Sequence, residues 1–475
     1  MSAYRSTQKP IFARLKPEER RMILLFGDLI ANLVSLGIAL YFWAARDDWL
    51  NFSVEFLSQR PPTWFYFLPV IWWVLLIELY DIRRASRRKE TFLGLIIAAT
   101  IAAMIYLFVF FFAPRGVLPR FGVASFIVSA FTLTLLWRMT YINIFTAPLF
   151  MRRVLIVGAG RAGKTLGAVV KEIWPPPFFV VGYIDDDPEK IGNECAGCPI
   201  LGGSDMLEKI SREQNISDLI FAISGEMKPE MFQAVIKAEE DGIQITTLPV
   251  MYEELLGRVP IFLLQSDWIL RSFVDQAHTG QLYEVMKRLM DIVGGSIGSL
   301  ILGVLTPIIA LLILIDDGLP VFYNQRRVGK SGEAYEMIKF RTMKNDAEKD
   351  GKARLADVND DRTTKIGRWL RKSHMDELPQ FLLVLRGDMS LVGPRAERPE
   401  LVCQMQEKVP FYRARLLVKP GLTGWAQINQ PYAATIDEMG VKLEYDLYYI
   451  KHRDIMLDFS ILIRTFGSVF GFRGR

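Results

Sequence analysis

The stretch Lys287-Arg288-Leu289-Met290-Asp291-Ile292-Val293-Gly294-Gly295-Ser296-Ile297-Gly298-Ser299-Leu300-Ile301-Leu302-Gly303-Val304-Leu305-Thr306-Pro307-Ile308-Ile309-Ala310-Leu311-Leu312-Ile313-Leu314-Ile315 decides how the chain is threaded. From Ile292 onward it is apolar or small, and long enough to cross a bilayer if straight. Its flanks are both basic, with Lys287 and Arg288 before it and Arg326, Arg327 and Lys330 after it. The positive-inside bias therefore wants both ends on the cytoplasmic side. Pro307 cannot donate a backbone hydrogen bond and would clash with the carbonyl of Gly303. A re-entrant helix, broken at Pro307 and leaving by the face it entered, satisfies these facts. Backbone freed at membrane depth needs a local partner, and Thr306 can supply one. A straight span would instead place everything after it outside.

Upstream, the tail 1–21 carries Arg5, Lys9, Arg14, Lys16, Arg20 and Arg21. Region 22–150 then holds four apolar runs, at 22–45, 64–80, 91–113 and 121–145. Asp28 in the first is costly in lipid and should face another helix or sit near an end. The loop after the second run is strongly basic (Arg83, Arg84, Arg87, Arg88, Lys89), and Arg152 and Arg153 follow the fourth. Four transmembrane helices with both ends in the cytoplasm are expected.

The texture changes at Arg153. Val154-Leu-Ile-Val-Gly158-Ala-Gly160-Arg-Ala-Gly163 is a strand running through a glycine turn into a helix, the G-x-G-x-x-G pattern of a dinucleotide fingerprint. Strands at 178–184, 218–223 and 244–248 complete a Rossmann-like α/β domain over 151–265, and Asp185-Asp186-Asp187 offers a ribose-binding acid. Gly158, Gly160 and Gly163 are thus candidate nucleotide-binding positions, or the frame of a regulatory or oligomerising unit. The stretch between Lys164 and Gln281 has no Tyr-x-x-x-Lys pair, so a nucleotide-sugar dehydratase or epimerase lacks its chemistry.

Composition agrees with a membrane protein: 51% of residues are hydrophobic. A net charge of +5 gives no reason to expect nucleic acid as a partner. Cys195, Cys198 and Cys403 cannot form a disulfide framework, and Cys195-x-x-Cys198 lacks a second metal-ligand pair. These read as thiols in a reducing compartment. No cleavable signal peptide is visible.

After a linker at 266–284 and the hairpin at 285–316, a mainly helical domain spans 317–475. Arg371-Lys-Ser-His-Met-Asp376-Glu377-Leu-Pro-Gln380 places adjacent carboxylates just after basic residues. Such carboxylates stay ionised and can attack phosphorus or hold a divalent metal bridging phosphate oxygens. An Asp-Glu pair alone is common on solvated helix faces, so its surroundings matter. Lys339, Arg341, Arg371 and Arg395 are candidate phosphate ligands, and His374 reads as a packing or surface residue. The C-terminal helices could lie in the membrane surface or pack in the core.

Four segments stand in order: Lys339-Phe-Arg-Thr-Met343, Asp376-Glu-Leu-Pro-Gln380, Gly387-Asp-Met-Ser-Leu-Val-Gly-Pro-Arg395 and Lys419-Pro-Gly-Leu-Thr-Gly-Trp425. Together they resemble the monotopic bacterial polyprenyl-phosphate phosphoglycosyl transferases. The resemblance covers residues 282–475, and the upstream architecture is similar to that of the larger, exopolysaccharide-type members. Ala396 and Leu383 depart from the usual pattern. The resemblance implies a bacterial inner-membrane enzyme with its α/β and catalytic domains in the cytoplasm. It implies that Asp376 attacks a UDP-sugar, UMP leaves, and undecaprenyl phosphate takes the phosphosugar from Asp376. It implies Mg²⁺ as cofactor on Asp376 and Glu377, with the lipid bilayer as a further partner. A homodimer is also expected. A non-enzymatic scaffold of polysaccharide assembly is the remaining alternative.

Overall fold

The computed structural model describes residues 17–47, 49–80, 85–112, 119–145, 151–174, 176–223, 227–263, 280–344, 362–430 and 435–469. The basic tail up to Lys16, Arg83 and Arg84, and most of the linker at 266–284 lie outside the described residues. The chain divides into two compact units, Met1–Met251 and Tyr252–Arg475.

In the first unit, helices α1 (Pro17–Ala44), α2 (Arg88–Phe112) and α3 (Arg120–Phe145) are long enough and apolar enough to cross a membrane. The second apolar run is not one α-helix. It is a 3₁₀ turn (Thr63–Phe67), a short α-helix (Leu68–Leu75) and another 3₁₀ turn (Ile77–Tyr80). Pro69 opens the α-helical piece, and the Leu76 N–H is shared among the carbonyls of Trp72, Trp73 and Val74 at its end. At rises of ~2.0 and ~1.5 Å per residue this run has a contour near 30 Å, about one hydrocarbon core. Asp28 of α1 is fully buried and paired with Arg138 of α3, Nη2 to Oδ2 at 2.6 Å. The acid in the first apolar run thus faces a helix, as its cost in lipid demands.

The α/β region follows in the same unit. Strands β1 (Arg153–Val157), β2 (Phe179–Ile184), β3 (Glu194–Cys195), β4 (Cys198–Gly202), β5 (Asp218–Phe221) and β6 (Gln244–Thr247) form one sheet in the order β3-β4-β2-β1-β5-β6. All neighbours are parallel except the β3–β4 hairpin. The β-branched strand β1 lies in the middle, with Val154 to Val157 at 0% exposure, because helices must cover both faces of a parallel sheet.

The second unit starts with residues that the sequence reading assigned to the α/β domain. Val259 and Ile261 are buried in its core, and the Trp425 indole donates to the Gly257 carbonyl at 2.7 Å. Helix α4 (Gln281–Asp317) follows and is unbroken through Pro307. The expected break is absent. One lost bond leaves the neighbouring turns intact, and Thr306 Oγ1 donates to the Leu302 carbonyl at 2.6 Å, the local support the sequence suggested. Asp291, Gly295, Gly298, Leu302, Ile309 and Ile313 form one buried stripe along α4. It packs on α5 (Lys365–Lys372), α6 (Gln380–Arg386), β7 (Ser390–Val392) and the end of β8 (Ala334–Phe340). A Cβ on Gly298 would come within 2.3 Å of the Phe381 ring, so only glycine allows this approach. At its first end, Asp291 accepts from Ser390 Oγ and from the Leu391 N–H, both at 2.9 Å. At its last, Asp316 accepts from the Ile366 N–H at 2.8 Å. Both ends of α4 therefore touch the same domain, while Leu300, Val304, Ile308 and Leu311 on its other side are exposed.

Candidate active site

Asp376 and Glu377 lie in a single 3₁₀ turn, Met375–Glu377, between α5 and α6. The turn is made by His374, which is exposed and adopts left-handed backbone (φ 57°, ψ 15°), so its role here is conformational. Helix α5 begins at Thr364, whose hydroxyl accepts from the Gly367 N–H at 2.9 Å. Gly367 packs on the Thr342 carbonyl, where a Cβ would fall within 2.1 Å. That contact brings Arg371 beside the end of β8, and Arg371 Nε donates to Thr342 Oγ1 at 2.9 Å.

Glu377 is gripped by two cations through one oxygen. Lys339 Nζ lies 2.6 Å and Arg395 Nη2 2.7 Å from its Oε1. Lys339 comes from β8, and Arg395 from the Gly-Pro-Arg loop after β7. Burial pushes the Glu377 carboxyl up, but Arg395 and Lys339 outweigh it and hold it well below the usual range. Asp376 is different. It is 9% exposed, and among the described residues no group donates to its carboxylate. Burial, then the neighbouring Glu377 charge, pushes its carboxyl up, against the pull of Lys339, Arg371 and Arg395. One carboxylate is thus held by two cations and kept ionised, and the other is buried, raised, and accepts no hydrogen bond among the described residues.

The structure brings Lys339, Arg371, Arg395, Asp376 and Glu377 together electrostatically. It does not bring Arg341 with them. That guanidinium reaches the end of α4, donating to the carbonyls of Asp317 at 2.9 Å, Gly318 at 2.5 Å and Leu319 at 3.0 Å. In the first unit, Gly158 has φ +105°, Gly160 caps the helix Arg161–Glu172, and Gly163 packs on the Gly158 carbonyl. The Ala159 N–H of this turn donates to Asp185 Oδ2 at 2.8 Å, so the expected ribose-binding acid is engaged with the turn itself.

Sequence reading missed a second set of charges. Arg415 is 4% exposed and ion-paired with Asp446 at 2.8 Å. Glu397 is paired with Lys442 at 2.6 Å. Lys287 meets Asp458 at 2.9 Å, under the hydroxyls of Tyr283 and Tyr449. No spacing rule marks such long-range partners. Only the unusual presence of Asp446 and Asp458 among apolar helix positions hints at them.

Residues 282–472 match the family described as Bacterial sugar transferase, and residues 76–249 match one described as CoA-binding domain. The chain is 39% identical over 224 residues to the UDP-N-acetylgalactosamine-undecaprenyl-phosphate N-acetylgalactosaminephosphotransferase of Aeromonas hydrophila, covering 47% of this chain and 52% of that protein. It thus spans about half the length of that relative. It is 28% identical over 332 residues to the UDP-glucose:undecaprenyl-phosphate glucose-1-phosphate transferase of Xanthomonas campestris pv. campestris, 68% of this chain and 67% of that one. To the protein of the same name from Caulobacter vibrioides it is 35% identical over 189 residues, 39% of this chain and 70% of that one. With four motifs in order around one carboxylate pair, and a relative matched over most of its length, the chain belongs to the bacterial sugar transferase family, the polyprenyl-phosphate phosphoglycosyl transferases.

Proposed function

We propose that the chain transfers a sugar-1-phosphate from a UDP-sugar to undecaprenyl phosphate, through a phosphosugar carried on Asp376. The observation that carries this is the contrast within the dyad. Glu377 is held by Lys339 and Arg395, while the buried Asp376 carboxylate accepts no hydrogen bond among the described residues. An Asp376 oxygen attacks the phosphorus that bears the sugar. The bond from that phosphorus to the UMP oxygen breaks, and UMP leaves with the electron pair. A phosphate oxygen of undecaprenyl phosphate then attacks the same phosphorus, and the Asp376 carboxylate is released. Arg371 has its terminal guanidinium nitrogens free of partners among the described residues, and is placed to bind phosphate bidentately. Glu377, ionised by its two cations, keeps Lys339 and Arg395 aligned beside the reacting phosphates. Arg341 serves the end of α4 instead.

Two adjacent carboxylates with three oxygens unclaimed among the described residues are a donor set that suits Mg²⁺, which takes one or two carboxylates and fills its shell with phosphate and water. Asp376 and Glu377 would hold it, and bound there it would supply charge relief between polyanions.

The membrane setting is supported by α4. Its buried stripe touches one domain along the length of the helix, and its far side is apolar. At ~1.5 Å per residue, 37 residues reach about 55 Å, more than a perpendicular crossing needs. We read α4 as re-entrant, bending at Pro307 while its turns stay hydrogen-bonded, with the catalytic domain on the cytoplasmic face of the bacterial inner membrane. The α/β domain we read as Rossmann-like and cytoplasmic. The reaction would open exopolysaccharide or O-antigen assembly. The dehydratase, epimerase and scaffold alternatives gain no support from relatives named as sugar phosphotransferases.

The test uses radiolabelled UDP-glucose, UDP-galactose and UDP-N-acetylgalactosamine with undecaprenyl phosphate in detergent. One donor should release UMP and, without lipid, label the protein. Asp376→Asn should abolish both. Near-normal turnover by that variant refutes the covalent role. A reporter fused after Arg475 should report cytoplasm, and a periplasmic signal refutes the re-entrant helix.

A further inference from the structure

The loop that presents Arg395 is held by cations that never face the dyad. Arg415 Nη2 donates to the Arg395 carbonyl at 2.9 Å, and Arg327 Nη1 donates to the next carbonyl, Ala396, at 3.1 Å. The Val328 N–H donates to the Glu397 carbonyl at 3.0 Å. Arg415 is itself fixed from two other sides, by Asp446 at 2.8 Å and by Tyr412 Oη, to which Nη1 donates at 2.6 Å. It is 4% exposed, and Asp446 is 1% exposed.

Burying a charge pair is expensive, and an apolar pair of similar volume often serves stability as well. A planar guanidinium, however, can pair with a carboxylate while it donates to a hydroxyl and to a loop carbonyl at fixed angles. An apolar pair cannot do that. The loop carbonyl it holds belongs to the residue whose side chain grips Glu377 at 2.7 Å. We propose that Arg415 is a positioning residue: anchored by Asp446 and Tyr412, it fixes the backbone of Arg395, so that Arg395 meets Glu377 and the reacting phosphate in register. This rests on the phosphotransfer reading above.

Removing Arg415 alone would leave Asp446 buried and unpaired, and that variant can fail to fold. The informative variant is therefore R415M/D446L, which removes both charges, compared in the full-length protein with R395Q and with the triple variant. The substrate is whichever UDP-sugar the donor panel identifies. R415M/D446L should keep a cooperative melting transition and lose roughly 10- to 100-fold in kcat, as expected for a catalytic group displaced by about an ångström. KM for the donor should change less than kcat does, because a small displacement of Arg395 costs most where charge develops at the phosphorus. Above all, the triple variant should be no slower than R395Q alone, since Arg415 acts only through Arg395. Near-native kcat in R415M/D446L, or losses that multiply in the triple variant, overturns the proposal while leaving the phosphotransfer reading intact. A native protein that releases no UMP with any donor overturns both.

Discussion

Lys339→Met tests the division of labour in the dyad most directly. Lys339 Nζ lies 2.6 Å from Glu377 Oε1, and the two side chains are only 19% and 14% exposed. A charge-assisted hydrogen bond in such a setting is worth about 1.5–3 kcal/mol. If that energy is used in the transition state, its loss lowers kcat/KM by about 10- to 150-fold. A second effect has a definite sign. On the proposed reading Asp376 attacks as the carboxylate, and its carboxyl is already raised by burial and by Glu377. Lys339 is foremost among the cations pulling it back. Activity is lost as pH falls through the Asp376 value in the folded protein, so removing Lys339 should move the acid limb to higher pH. The assay is the single-turnover burst of UMP with donor alone, across roughly pH 5 to 8.5. A loss under about threefold refutes the assignment of Lys339, as does an acid limb that stays put or moves to lower pH.

Three further outcomes are expected. Gly298→Leu should lower the thermal inactivation midpoint of the transferase, because its Cβ would fall 2.3 Å from the Phe381 ring, an overpacking worth roughly 1–3 kcal/mol; an unchanged midpoint would mean α4 and α6 do not meet there. Glu444, 4% exposed, is pushed up to about 7 by burial, against the pull of Arg258. A folded value above the unfolded one gives stability that is full below the ordinary glutamate value of 4.5 and lost as pH rises through about 7, a span of about 3 kcal/mol. Glu444→Gln should flatten the melting temperature of the catalytic unit over that window, and a retained slope refutes it. Arg138→Leu should cost roughly 3–5 kcal/mol by leaving Asp28 buried alone, and D28L/R138L should recover most of it, read as aggregation temperature in detergent. Equal losses in both would show that the pair is not buried as described.

The strands at 179–184, 218–221 and 244–247 fall within the runs read from the sequence, and that at 153–157 starts one residue before its run, because a parallel sheet covered on both faces writes itself as β-branched runs between turns. The grouping of the dyad with cations was legible for another reason: adjacent carboxylates in a buried turn need cations nearby, and the motif order marked which ones. Lys339 and Arg395 were found that way. Arg341 sits in the same motif, yet its guanidinium turns to the carbonyls at 317–319. A list of basic residues cannot separate a ligand from a helix-end clamp, because both need a cation with several donors. Arg415 was missed because its partners are Asp446 and the Arg395 backbone, and no local period encodes contacts across such distances in the chain. Pro307 misled in a different way. A proline removes one bond, and the remaining turns of a long helix can absorb that loss.

The packing of α4 explains why Asp376 is bracketed by apolar residues. Met375 and Leu378, on either side of the dyad, pack against the cluster that Leu302, Ile309 and Ile313 of α4 form with Phe340 and Leu370. The depth of Asp376 is therefore tied to the depth of α4. On the proposed reading, α4 is pinned by its exposed apolar side, where each leucine or isoleucine moved from lipid into water costs about 1.5–3 kcal/mol. Leu300, Val304, Ile308 and Leu311 together resist displacement outward, and the charges at Lys287, Arg288, Asp316 and Asp317 resist displacement inward. The aspartate then stays near the level of lipid phosphates without any span of its own. A donor too polar to enter the bilayer and an acceptor too apolar to leave it can both reach one carboxylate only at that level, and a helix that crossed the membrane would carry its far end away from the domain that holds it.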